Sequence, residues 1–220
     1  MRQAAASVIL CAFATLAPAQ ATAQTRGNLP ASPTGLCGSI ENAFGPFDYR
    51  TSPLQRKRLV ERHHFTPKVE SLRAGETGSV GGDLDYTLRA FPNHPRALLA
   101  MVRLGERERT SQVRGANYPV ECYFDRAIRF QPDDPQVRVL YAYYLTRNKR
   151  PGEARRQLEA AESTSPTDPQ VIYNLGLAYL DLNEYDRALA YAHKAYDAGI
   201  TFPGLRERLK RANKWQEARK

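Results

Sequence analysis

Pro132-Asp133-Asp134-Pro135 and Pro166-Thr167-Asp168-Pro169 begin 34 residues apart, and the second opens the stretch PQVIYNLGLAYLDLNEYDRALAYAHKAYDAGITF, Pro169 to Phe202. Self-similarity at a period of this size marks a helix–turn–helix unit that buries its apolar face only by stacking on its neighbour. The punctuation agrees with two helices per unit. Asp134 and Asp168 each precede a proline, so a carboxylate can cap a helix start while the proline fills the first helical position, where its missing N–H costs nothing. Pro151 can open the second helix of its unit in the same way, and Gly199 can close the last one. Gly176, Ala188 and Ala195 are the small residues that two antiparallel helices need where they approach closely, with larger residues one turn away filling the remaining space.

On these residues the chain resembles the tetratricopeptide repeat (TPR) family. In the unit 169–202, Leu175, Gly176, Tyr179, Ala188 and Ala195 fall where that family has its leucine, glycine, tyrosine and two alanines. The unit 135–168 keeps Tyr141, Ala142, Leu145, Ala154, Leu158, Ala161 and Pro166 in register. Pro92-Asn93-His94-Pro95 precedes Pro132 by 40 residues, and the excess falls most naturally in the turn Thr110 to Tyr118, between helices Pro95–Arg109 and Pro119–Phe130. Leu84, Thr87, Leu88 and Pro92 look like the second helix of a degenerate unit, and Pro203-Gly204 start an amphipathic helix with Leu205, Leu209, Ala212 and Trp215 on one face. The fold expected is all-α: a TPR-like α-solenoid of about three helix pairs (95–134, 135–168, 169–202) within 82–202, a partial pair (82–94) and a polar-faced C-terminal capping helix (203–220).

The first third, 24–81, reads as an N-terminal extension, partly irregular. From Cys37 to Tyr49, Phe44, Phe47 and Tyr49 alternate with Gly45 and Pro46, as in a segment laid over a hydrophobic surface. A helix is expected from Pro53 to His64, then a short one from Pro67 to Gly75 capped by Thr66. GETGSVGG, Gly75 to Gly82, has the composition of a linker and lacks the Gly-Lys-Ser/Thr ending of a phosphate-binding loop. At the start, Arg2, an apolar stretch from Ala4 to Leu16 and Ala21-Thr22-Ala23 read as a signal peptide, 1–23, cut after Ala23 or alternatively after Ala19. That apolar stretch is well short of the roughly 20 residues that cross a bilayer. The chain is therefore expected to be exported, in the periplasm, without stable membrane insertion.

Lysine and arginine number 32 against 23 acids, a net charge of +9, and leader removal takes only Arg2 with it. Such a surplus suits anionic partners, of which nucleic acid fits an exported protein least, or it simply solvates outer helix faces. Two cysteines outlast processing, Cys37 and Cys122, and an even number in an oxidising compartment can pair. By repeat register Cys122 falls on the outer face of its helix, within reach of Cys37. No catalytic constellation, cofactor motif or metal-ligand spacing stands out, and no enzyme activity is expected. His63 and His64 diverge by about 100° on a helix, His94 and His193 are isolated, and Asp83 with Asp85 reads as a helix start.

What the resemblance implies about binding is more specific. In tetratricopeptide proteins the first helix of each pair lines a concave groove, and those positions fall here on Leu99, Arg103, Arg107, Val139, Tyr143, Arg147, Tyr173, Leu177 and Asp181. The expected partner is a peptide or protein with apolar anchors and acidic flanks, held by a periplasmic scaffold or adaptor in envelope-complex assembly. Of the family's Lys/Asn carboxylate clamp only Asn174 is present, so the clamp is not carried over. Two segments of the chain itself, around Phe47 and Trp215, compete for the groove. The lengthened turn near Arg114 is a second contact point. Two other readings are open: an accessory or regulatory subunit of an envelope enzyme, and a charge-driven binder of an anionic polymer or membrane surface.

Overall fold

Proline occupies the first helical position at Pro95, Pro135, Pro151 and Pro169, and three of these helices receive a side-chain cap from the residue before. Asp134 accepts from the N–H groups of Gln136 and Val137, Asp168 from Gln170, and His94, through its ring, from Ala97. In the computed structural model, which describes residues 37–217, every regular element is a helix: α1 (Leu54–His64), α2 (Pro67–Glu70), α3 (Val80–Ala90), α4 (Pro95–Glu108), α5 (Val120–Phe130), α6 (Pro135–Arg147), α7 (Pro151–Ser163), α8 (Pro169–Asp181), α9 (Tyr185–Asp197) and α10 (Gly204–Arg211). Residues 1–23, read as a signal peptide, and residues 24–36 lie outside the described residues. No helix among the described residues is long and apolar enough to cross a membrane.

Helix ends share one device as well. Thr110 N–H reaches the Gly105 carbonyl, Arg150 that of Leu145, Glu184 that of Tyr179 and Ile200 that of Ala195, all at 2.9–3.0 Å. Each bond needs a left-handed residue just before its donor, and Arg109, Lys149, Asn183 and Gly199 supply it with φ of 53°, 59°, 60° and 93°. The sharp reversal leaves only residues 148–150 between α6 and α7, and 182–184 between α8 and α9, so both pairs are antiparallel hairpins. Along the chain α4 then packs against α6 and α6 against α8, while α10 packs on both α8 and α9.

Two large apolar clusters fill the interior, one from α2 to α6 and one from α6 to α10, with a smaller third around Val60, Ala90 and Phe91, and Tyr141 and Tyr144 of α6 pack against both large ones. Tyr141 stacks on Phe124 and donates its hydroxyl to Glu121, which also holds Arg150. Gly176 faces α10: a Cβ there would lie 2.5 Å from Leu205 Cδ2, and Leu205 is fully buried. The helix expected over Leu205 to Trp215 stops at Arg211, and Trp215 returns to sit against His193 and Tyr196 beneath the Arg206 guanidinium.

The N-terminal part is tied down at several points. Cys37 and Cys122 form a disulfide. Arg126, fully buried, donates to the carbonyls of Cys37 and Ser39 and lies over the Tyr118 ring, with no carboxylate paired to it among the described residues. Phe44, Phe47 and Tyr49 cover Phe91, and Gly45 approaches α3 so closely that a Cβ would meet the Ala90 carbonyl at 2.6 Å.

Two expectations here need correction. The second short helix ends at Glu70, because Leu72 turns back with φ of 59° to bury its side chain. The glycine-rich stretch is not a linker throughout. Ser79 caps α3 by accepting from Gly82, Gly81 is packed where a Cβ would meet the Arg114 carbonyl at 2.3 Å, and Asp83 accepts from Glu76 and Thr77. The lengthened turn near Arg114 is anchored at Val113, which is buried, and at Asn117, which donates twice to the buried Asp85, while Ser111, Gln112, Arg114 and Gly115 are exposed.

Gly176→Ala is expected to destabilise the fold by about 1–3 kcal/mol through overpacking. In a Leu205→Ala background the same change should cost much less. Thermal melts of the four proteins measure this coupling, and additive losses would contradict the contact.

Candidate functional site

Residues four apart on one helix share a face, so Leu99 with Arg103, Val139 with Tyr143, and Leu177 with Asp181 each form a short stripe on α4, α6 and α8. Because the three helices pack in that order, the stripes line one cavity of about 840 Å³. Its floor is apolar, with Val139 and Ala178 buried and Leu99, Leu140, Tyr143 and Leu177 half-buried beneath the opening. Asn93, Gln136, Gln170 and Asn174 supply amides along the sides.

The cations around the opening differ in what they can offer. Arg50 is engaged by Asp48 at 2.9 Å and by Asp133 and Asp134 at 3.4 and 3.5 Å, Arg96 by Glu70, and Arg208 by Asp181. Arg103 alone among these arginines is exposed with neither an ion pair nor a hydrogen bond among the described residues. A guanidinium in that state can take an incoming carboxylate without breaking an existing pair.

Tyr49, Asn93 and Asp134 line the cavity and belong to a polar cluster that reaches back to Glu61 and His94. Tyr49 stacks at 4.1 Å on His94, and its hydroxyl donates to Glu61 at 2.7 Å. Asn93 accepts from the Tyr49 N–H and donates to Asp48 and, at 2.9 Å, to Asp134, the cap of α6. Because His94 Nδ1 accepts from Ala97, the ring proton sits on Nε2, 3.3 Å from Glu61. Hydrogen bonds from His94 and Tyr49 hold the Glu61 carboxyl below its usual range, against the effect of burial. Burial and the Glu61 carboxylate push the Tyr49 phenol up to about 12. His94 is lowered, because burial opposes its charged form.

Of the groove positions that the resemblance implies, the cavity gathers Leu99, Arg103, Val139, Tyr143, Leu177 and Asp181. Arg107, Arg147 and Tyr173 are placed otherwise. Arg107 donates to the Leu72 carbonyl at 2.5 Å, which pulls its side chain toward the end of α2. Arg147 pairs with Glu106 at 2.7 Å. Tyr173 is buried under the C-terminal segment, accepting from the Leu205 N–H and packing on Tyr196 and Phe202, and Asn174 takes the place beside it on the cavity. Neither competing segment fills the cavity, since Phe47 lies on Phe91 and Trp215 on α9. Tyr49, Arg50 and Asn93 escaped the sequence reading. The signal for Asn93 was available, since PNHP stands where PDDP stands one unit later.

The histidines do not converge. His63 is exposed, His64 contacts Asp83 at 3.1 Å and stacks on Tyr86, and His193 donates to the Gln216 carbonyl. No group of three or more metal-binding side chains occurs among the described residues. No protein-family profile, curated protein or solved structure matches the chain.

Protonating His94 would place an N–H against the Ala97 N–H and undo the α4 cap. Its folded-state pKa lies below the unfolded value, so the folded state favours the neutral ring. That stability is fully present above the ordinary histidine pKa of 6.5 and is lost as pH falls below it toward the folded value. Melting temperature is expected to fall on acidification from pH 7 to 5, whereas His94→Asn, which keeps a capping oxygen, should show a flatter profile there. Parallel profiles would assign the pH dependence to other groups.

Proposed function

We propose that this protein is an exported TPR-like helical scaffold that holds an extended segment of a partner protein across α4, α6 and α8 in the periplasm, as an adaptor in envelope-complex assembly. The observation that carries the reading is the apolar cavity spanning three helices, α4, α6 and α8, beside an Arg103 with no ion pair among the described residues and unfilled by any described part of the chain. Helices packed side by side lie about 8–10 Å apart, so three of them span about 20 Å, or about six residues of extended chain. The segment would seat aliphatic or aromatic anchors on Leu99, Tyr143 and Leu177 and set an acidic side chain against Arg103. Export is supported by the leader-like start and by the Cys37–Cys122 disulfide, a bond that persists in oxidising compartments. The 34-residue period, the capped prolines and the stacked hairpins support the TPR-like solenoid.

Selection of a displayed random-peptide library on the purified protein tests the reading. Enriched peptides are expected to combine apolar anchors with an acidic residue. Tyr143→Ala/Leu177→Ser should weaken them by about tenfold or more, and Arg103→Glu should remove the acidic preference. Recovery that is equal on wild type and both variants would overturn the groove as the binding surface.

A further inference from the structure

A second surface stands apart from the cavity, on α1, which contributes none of the cavity's lining. Its sequence LQRKRLVERHH buries Val60 and packs the helix on α3. The residues left exposed are Leu54, Gln55, Arg58, Leu59, Arg62 and His63, and at about 100° per residue they occupy one continuous half of the helix. Leu54 and Leu59 lie on that half and are 55% and 52% exposed, two of the three large hydrophobic side chains left exposed among the described residues, where each leaves apolar area in water.

The charges on this face are unneutralised. Arg58 and Arg62 make no ion pair or hydrogen bond among the described residues, and no carboxylate shares the exposed half. The helix's one acid, Glu61, is turned inward to Tyr49 and His94. Arg56 borders that half and Lys57 lies outside it, over the rings of Phe47 and Tyr49 at 4.3 and 4.6 Å from their centroids, which positions them without cancelling their charge. Several other arginines are held by acids, as Arg150 is by Glu121 and Glu153 and Arg187 by Glu159 and Glu162.

We infer that this face of α1 docks the protein onto an anionic phospholipid surface. Head-group phosphates would take Arg58 and Arg62, with Arg56 and Lys57 adding to the field, while Leu54 and Leu59 enter the apolar boundary just below. A helix face is convex, so a folded acidic partner would need a hollow shaped to it, whereas a lipid interface yields to it. A soluble polyanion would satisfy the arginines but leave both leucines in water. The outcome is a peripheral contact, separate from peptide capture, that would hold the scaffold at the membrane.

Sedimentation with vesicles tests this, using processed protein recovered from the periplasm of expressing cells. On phosphatidylethanolamine–phosphatidylglycerol vesicles, binding is expected to be about tenfold or more tighter than on phosphatidylcholine vesicles and to weaken as salt is raised. Arg58→Glu/Arg62→Glu should weaken it by about tenfold or more, and Leu54→Ser/Leu59→Ser severalfold, both with unchanged melting temperature. Tyr143→Ala/Leu177→Ser should bind vesicles like wild type, which keeps this test separate from that of the groove. No preference for anionic vesicles, or equal binding by wild type and both α1 variants, would overturn the inference. So would Arg58- and Arg62-dependent binding to soluble polyglutamate without vesicle binding, which would give the face to an acidic polymer.

Discussion

Where a helix starts decides what it faces, and here the starts of α4, α6 and α8 are fixed by a proline at the first helical position with a capping side chain before it. With α6 and α8 starting 34 residues apart and both hairpins closed by three-residue turns, the same face of each first helix is presented again. That repetition aligns Val139 and Tyr143 with Leu177 and Asp181. The Asn93 amide, bonded to the Asp134 carboxylate, extends the row to α4 despite its longer turn. A change that shifted one start by a residue would turn its helix by about 100° and remove its stripe from the cavity.

Helix beginnings were legible because aspartate-proline is a strong local signal, as were the apolar positions at helical spacing. Helix ends were less so. Arg109, Lys149 and Asn183 adopt the left-handed conformation that composition alone assigns to glycine, and only Gly199 announces itself. The six cavity residues could be placed from the register that the resemblance implies, but Tyr173 could not, because its burial depends on a C-terminal segment folding back to put the Leu205 N–H against its hydroxyl. Arg107 and Arg147 were misplaced for a similar reason: long side chains follow the nearest acceptor, here the Leu72 carbonyl and Glu106, rather than the direction of their Cβ atoms.

The N-terminal third was the least legible part, since its order comes from contacts distant in sequence. Arg126 shows why. A fully buried arginine answered by two backbone carbonyls and a tyrosine face leaves no charge pattern to read, yet with the disulfide it fixes the segment from Cys37 to Ser39 on α5. The aromatic segment that follows covers Phe91 and ends at Tyr49 and Arg50, which line the cavity. The extension thus contributes to the cavity lining and, through α1, carries a basic face with two exposed leucines. Both surfaces follow from the same anchoring of the first third onto α3, α4 and α5.

Site-specific photocrosslinking in living cells tests the central claim most directly. A photoreactive residue at Leu99 or Leu177 faces the cavity, and one at Arg156, exposed on α7, does not line it. The account predicts discrete adducts with a partner protein from the cavity positions and none from Arg156. Adducts from Arg156 alone, or none from the cavity, would contradict it.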